Sequence, residues 1–185
     1  MPEASEFKTI HQIIRKAKQN LSQTLWDYVI GGTASETTLR RNRASIDSKA
    51  LLPKILNDVS AIDTRRSILN EELEIPVILA PIGSLQNLVK GGGATAAVAA
   101  EEAGVMSIAS SVCHPDLEDI AAASKSPKIY QLYVRGDAVW TDNKVQRAID
   151  AGYTAFCLTV DSAVVSRRER DISKAVTPTS KPVSG

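Results

Sequence analysis

Four short apolar stretches begin near residues 77, 105, 128 and 155, a recurrence of 23 to 28 residues, and each of the first three is followed by a helix-compatible segment. That spacing is the length of a strand–helix unit, and consecutive units of this kind build a parallel sheet. Polar residues stand at the C-terminal ends of successive strands (Ser110-Ser111, Gln131 with Tyr133, Thr159 with Asp161), where a barrel carries its site. Together these observations predict an α/β protein: the first half of a (β/α)8 TIM barrel, four βα units preceded by N-terminal helices.

The elements follow in order. Residues from about Glu6 to Asn20 place Phe7, Ile10, Ile13, Ile14 and Ala17 at helical spacing. A second, short helix over Ser22 to Val29 stops at Gly31-Gly32, a helix-ending pair. Residues 33–75 are mixed, and Leu51-Leu52-Pro53 interrupts any long element. From Pro76 the pattern is regular. Val77 to Ile82 is a strand, and Gly91-Gly92-Gly93 opens an alanine-rich helix to Ala103. Val105 to Ser111 is the second strand, with a helix starting near Pro115, since proline suits a first turn. Lys128 to Val134 is the third, with a helix from about Asp137 to Ala151, and Ala155 to Asp161 is the fourth. The first βα turn, Ala80 to Gln86, lacks the GxGxxG fingerprint, which argues against a doubly wound dinucleotide fold. Three segments result: an N-terminal helical and loop segment (1–75), barrel strands one to four (76–176), and a proline- and serine-rich tail (177–185) expected to be a flexible loop.

At 185 residues the chain is long enough to bury a sizeable core. Charge is balanced, 22 Lys+Arg against 21 Asp+Glu, which points to neither nucleic acid nor membrane. Arginines cluster at Arg40-Arg41-Asn42-Arg43, Arg65-Arg66 and Arg167 to Arg170. Acids interrupt or flank these clusters and few aromatics lie near them to stack bases, so the first two read as solvated faces. The polar, acidic N-terminus is not a signal peptide, and no apolar run approaches the length of a membrane span. Cys113 and Cys157 are too few for a disulfide framework and too far apart for a zinc knuckle, so both are expected as buried free thiols and no metal site is expected. A soluble cytoplasmic protein is the expectation.

Five stretches occur in order: "WDYVIGG" (26–32), "LAP" (79–81), "YQLYV" (130–134), "LTVDS" (158–162) and "RRERDI" (167–172). Together they resemble the FMN-dependent α-hydroxy acid oxidases and dehydrogenases, the family of glycolate oxidase, lactate oxidase and mandelate dehydrogenase. The resemblance covers nearly the whole chain to about Val176. It implies FMN as cofactor and a small 2-hydroxy acid as substrate. It places the flavin ring against the backbone of Ala80, Pro81, Ile82 and Gly83, where small residues and a proline suit close approach. It gives Ser110, Gln131 and Thr159 to the polar edge of the isoalloxazine, since amides and hydroxyls both donate and accept. Tyr28 would bind the substrate carboxylate, Tyr133 would serve catalysis beside the substrate hydroxyl, and Arg168 would stand on the substrate side.

The sequence also departs from the family. Val112 stands where many members carry an aromatic residue, so the pocket wall differs. His114 is read as a solvent-facing or loop-bonding histidine, because the family's base lies elsewhere, and His11 has no assigned role. Gly91-Gly92-Gly93 resembles a phosphate loop, but the family holds the FMN phosphate at strands seven and eight, so a flexible start to the helix is expected. The family's histidine base, its neighbouring arginine and the lysine near the flavin all follow the fourth βα unit. Two readings follow. In the first, this is the N-terminal half of an FMN-dependent enzyme that a complementary C-terminal half-barrel completes, a homo-oligomer once complete. In the second, it is a truncated or diverged half-barrel that binds a partner or flavin without catalysis.

Overall fold

The structure is a computed structural model, and it describes residues 7–161 and 166–174. The tail expected as a loop at 177–185, and the end of the barrel segment at Val176, lie outside the described residues. The chain divides into two compact units: residues 7–55 with 166–174, and residues 56–161.

Among its described residues, the first unit holds three N-terminal helices and one late one. Helix α1 (Ile10–Asn20) starts at Thr9, whose hydroxyl accepts from the Gln12 backbone N–H while the Gln12 side chain accepts from the Thr9 N–H. Two orphan donors are thereby satisfied reciprocally. Helix α2 (Gln23–Ile30) is capped by Ser22 and ends at Gly31, as the sequence indicated. Helix α3 (Thr37–Asp47) was not legible in the mixed segment. It begins after Glu36, which adopts a left-handed conformation, φ 60°. Arg40 and Arg43 on it are exposed and bond Ser35 O and Asp47, in keeping with a solvated face. Helix α7 (Glu169–Ser173) forms in the arginine cluster and packs on α2.

The second unit begins with a hairpin that the sequence did not reveal, β1 (Arg66–Ile68) paired antiparallel with β2 (Glu71–Leu73). The parallel sheet follows: β3 (Ile78–Leu79), α4 (Gly92–Glu102), β4 (Met106–Ser110), α5 (Leu117–Ala122), β5 (Lys128–Leu132), α6 (Ala138–Asp150) and β6 (Ala155–Leu158). The strands lie side by side in chain order, β3-β4-β5-β6, all parallel. A doubly wound sheet would reverse direction at a switch point, and none occurs; chain order with no reversal is the wall of a barrel.

Side-chain alternation divides the sheet into two faces. On one, Ala109, Tyr130 and Leu132 pack against Ala97, Leu117, Ile120 and Ala148, so α4, α5 and α6 cover the same face. Tyr130 meets Tyr153 edge-on at 5.5 Å, and the Tyr153 hydroxyl donates to Leu117 O at 2.8 Å. Burial pushes the Tyr130 phenol up to about 12. On the opposite, inner face, Met106 and Ile129 pack with Ile78, Ile108, Ala155 and Cys157, and the hairpin closes this cluster with the fully buried Leu73. Through Ile68 and Leu73 the hairpin packs with the sheet, in the same compact unit. The glycine run is also more constrained than a flexible start to α4. Gly92 has φ +50°, and a Cβ there would lie 2.0 Å from His114 O, so the helix start is packed tightly on the loop after β4. Pro115 stands before the helix cap Asp116 rather than in the first turn.

Candidate active site

Register places the polar strand ends together. Ser110 pairs with Gln131, and Gln131 with Cys157, across three adjacent strands, and alternation sets Ser110, Gln131 and Thr159 on the inner face. Gln131 is 2% exposed, and its carboxamide donates to the Thr159 hydroxyl at 2.6 Å. Ser110 is likewise buried, and its hydroxyl accepts from the Val112 N–H at 3.4 Å. A buried amide and two hydroxyls at the tips of three parallel strands are costly unless bonded. Such groups suit the rim of a planar heteroaromatic ring that presents donors and acceptors alternately.

The backbone around them is stitched. Ser111 N–H donates to Gln131 O at 2.8 Å, Tyr133 N–H donates to the Ser111 hydroxyl at 3.1 Å, and Thr159 N–H donates to Leu132 O at 3.0 Å. Ser111 thus fixes the backbone of Tyr133, a part the sequence did not assign to it. Ala80, Pro81, Ile82 and Gly83 follow β3 directly. Ser84 N–H donates to Val112 O at 3.1 Å, and a Cβ on Gly83 would meet Val112 Cγ2 at 2.6 Å. Only glycine fits there without moving Val112. The chemistry of this donor set and the close-packed glycine fit the flavin ring that the resemblance implies.

His114 is exposed; its backbone N–H donates to Gln86 and its carbonyl accepts from Gly93, so its loop is bonded as expected. Cys113 is buried and Cys157 half-buried, both as free thiols.

Tyr28 and Arg168 lie in the other unit, next to each other. The Arg168 guanidinium stands 4.7 Å from the centre of the Tyr28 ring. Its Nη2 donates to Tyr28 O and to Gly31 O, the latter at 3.0 Å. Its Nε is 3.2 Å from Asp171 Oδ2, an ion pair too poorly aligned to count as a hydrogen bond, and both atoms are buried. Two residues on, Arg170 makes a two-point contact with Glu36 at 2.5 and 2.7 Å and reaches the buried Asp27 at 3.5 Å. Asp27 also takes Lys174 and both contacts of the Gln23 amide at 3.1 Å. The Arg170 hydrogen bond, with the Gly32 N–H second, holds the Glu36 carboxyl down at about 2. The sequence set Arg170 in the arginine cluster and Asp27 in the WDYVIGG stretch but gave neither these contacts, and it gave Glu36 no part, because the contacts join residues more than a hundred positions apart.

A profile of a family described as FMN-dependent dehydrogenase matches residues 17–184. An L-lactate oxidase from Nostoc sp. is 41% identical over 160 residues, which are 84% of this chain and 44% of that protein. An L-lactate dehydrogenase from Caulobacter sp. is 37% identical over 161 residues, 87% of this chain and 42% of its own length. Among solved structures, a mandelate oxidase superposes with a TM-score of 0.85 at 29% identity, over 90% of this chain and 50% of that one. The (S)-mandelate dehydrogenase of Pseudomonas putida, a membrane-associated protein solved as a soluble mutant, gives the same TM-score and identity over 48% of its chain. This chain therefore spans less than half the length of these curated relatives.

Proposed function

Because the chain belongs to the FMN-dependent dehydrogenase family, we propose that it forms the flavin-edge and substrate-anchoring half of an enzyme that oxidises a small 2-hydroxy acid to the 2-oxo acid. The observation that carries this reading is the bond from the buried Gln131 to the half-buried Thr159, beside the buried Ser110, at adjacent strand tips. Ser110, Gln131 and Thr159 would hold the polar edge of FMN, and the backbone of Ala80, Pro81, Ile82 and Gly83 its ring. Bound flavin supplies the acceptor for the hydride equivalent lost from the substrate carbon. Tyr28 donates its phenol O–H to the substrate carboxylate, with Arg168 adding positive charge beside it. Tyr133 donates its O–H to the substrate hydroxyl oxygen and stabilises charge that develops there. A complementary half-barrel supplies the base that takes the hydroxyl proton. Relatives named for lactate and mandelate support a 2-hydroxy acid as the substrate class.

A cytoplasmic location and a homo-oligomeric completed barrel are part of the proposal; two free thiols suit a reducing compartment. Among the described residues, no helix is long and apolar enough to cross a membrane.

The test is Gln131→Leu in the enzyme completed by its second half. Leaving flavin polar atoms unpaired in a buried site costs about 1–3 kcal/mol, roughly 5- to 150-fold in FMN affinity. Titration followed by quenching of flavin fluorescence measures it, and unchanged affinity removes Gln131 from the flavin edge.

A further inference from the structure

Arg168 and Tyr28 come from helices far apart in sequence, and their stacking depends on what ties α7 to α2 and to the segment between α2 and α3. The ties run in both directions. Ala34 N–H donates to Arg167 O at 2.7 Å, Arg168 bonds the carbonyls of Tyr28 and Gly31, and Arg170 joins Glu36 and Asp27. Asp27 immediately precedes Tyr28, and Arg170 follows Arg168 by two residues, so the Arg170–Asp27 contact joins the immediate neighbourhoods of both members of the Tyr28–Arg168 pair. The four cations Arg167, Arg168, Arg170 and Lys174 sit within eight residues, with Glu169 and Asp171 among them. Asp27 and Glu36 are the carboxylates from outside α7 that bind this run. Asp27 is 8% exposed and also holds Lys174 and the Gln23 amide, so losing Arg170 would remove one of the two cations that compensate a buried carboxylate. The planar two-point contact with Glu36 fixes direction as well as distance.

We propose that Arg170 is a positioning residue for substrate binding: through Glu36 and Asp27 it holds Arg168 against Tyr28, so that the phenol and the guanidinium act as one preset anchor for the substrate carboxylate. The proposal rests on the assignment of Tyr28 and Arg168 to that carboxylate. A preset anchor lowers the ordering cost of binding and so acts on affinity before it acts on the chemical step.

The experiment compares Arg170→Met, which keeps the stem and removes the charge, with Arg170→Lys and Tyr28→Phe, all in the FMN-loaded enzyme completed by its second half. Three quantities are read: KM and kcat for L-lactate, the Kd of oxalate from its perturbation of the flavin absorbance, and FMN affinity. Arg170→Met should raise KM and the oxalate Kd together by about tenfold, with kcat within about twofold and FMN affinity unchanged. Arg170→Lys, which keeps a cation between Glu36 and Asp27, should recover most of that loss. Unchanged KM and oxalate Kd in Arg170→Met, alongside raised values in Tyr28→Phe, would overturn the role of Arg170 and leave the anchor standing. Unchanged values in Tyr28→Phe would overturn the anchor and this proposal with it. A parallel loss of FMN affinity and kcat in Arg170→Met that Lys does not recover would show a role in folding alone.

Discussion

Tyr133 is held by its backbone, through Ser111, at the tip of β5 next to the buried Gln131. A phenol placed to bond an oxygen that gains charge during reaction contributes more to the transition state than to the bound substrate. Tyr133→Phe should therefore lower the rate of flavin reduction by about 10- to 1000-fold while KM moves little, as read by anaerobic stopped-flow absorbance. Equal, small effects on both would remove it from the chemistry. Glu36 gives a prediction of a different kind. Its folded value, about 2, lies below the ordinary glutamate value, near 4.3 in the unfolded chain. A depressed acid contributes stability in full above the unfolded value and loses it as pH falls toward the folded one. Between about pH 4.3 and about pH 2, the wild-type chain should lose stability that Glu36→Gln no longer has to lose. Thermal melts followed by helical circular dichroism should then show a shallower acid slope in the variant; equal slopes would place the acid sensitivity elsewhere. The candidate site residues were picked out by motif, most of them at or just past a strand end. The roles of those that position them, Arg170, Asp27 and Ser111, were not legible, because they exist only through partners that the sequence does not place beside them.

At the scale of elements, the strand starts were read to within one residue at β3, β4, β5 and β6, because an apolar run flanked by glycine and polar residues is a local signal. The strands themselves end earlier than the apolar runs do. Residues such as Val134 and Val160 continue the pattern beyond the ladder and are exposed. Helix α7 escaped notice because five residues carry too little periodicity, and long-range ion pairs hold it. The β1–β2 hairpin escaped notice because its turn lacks the usual residues. Leu69 and Asn70 both have positive φ, 54° and 64°, a geometry that normally selects Asn-Gly. A leucine in that region is strained by about 1–2 kcal/mol. Leu69→Asn with Asn70→Gly should stabilise the chain by about 1 kcal/mol in urea unfolding without moving Leu73 from beneath the sheet. A loss of stability would mean that the half-exposed Leu69 side chain makes contacts worth more than its backbone strain.

At the scale of the chain, the βα period and the polar strand ends gave the architecture, and the sheet order confirms a barrel wall rather than an open sheet. Strand β6 pairs with β5 alone among the described strands, and its outward-facing Phe156 and Leu158 are 42% and 50% exposed. Leu51, Leu52, Ile55 and Leu56 are more than four-fifths exposed. Apolar surface of this kind and an unpaired edge call for a covering partner, and the complementary half-barrel of the proposal would provide it. The most direct measurement is the anaerobic bleaching of the flavin absorbance band by L-lactate, for residues 1–185 alone and for the same chain joined by a polypeptide carrying strands five to eight. The paired form should bind FMN and bleach on adding the acid, whereas residues 1–185 alone should self-associate in sedimentation and show no bleaching. A stable monomer of residues 1–185 that holds one FMN and bleaches by itself would contradict the division of labour between the two halves.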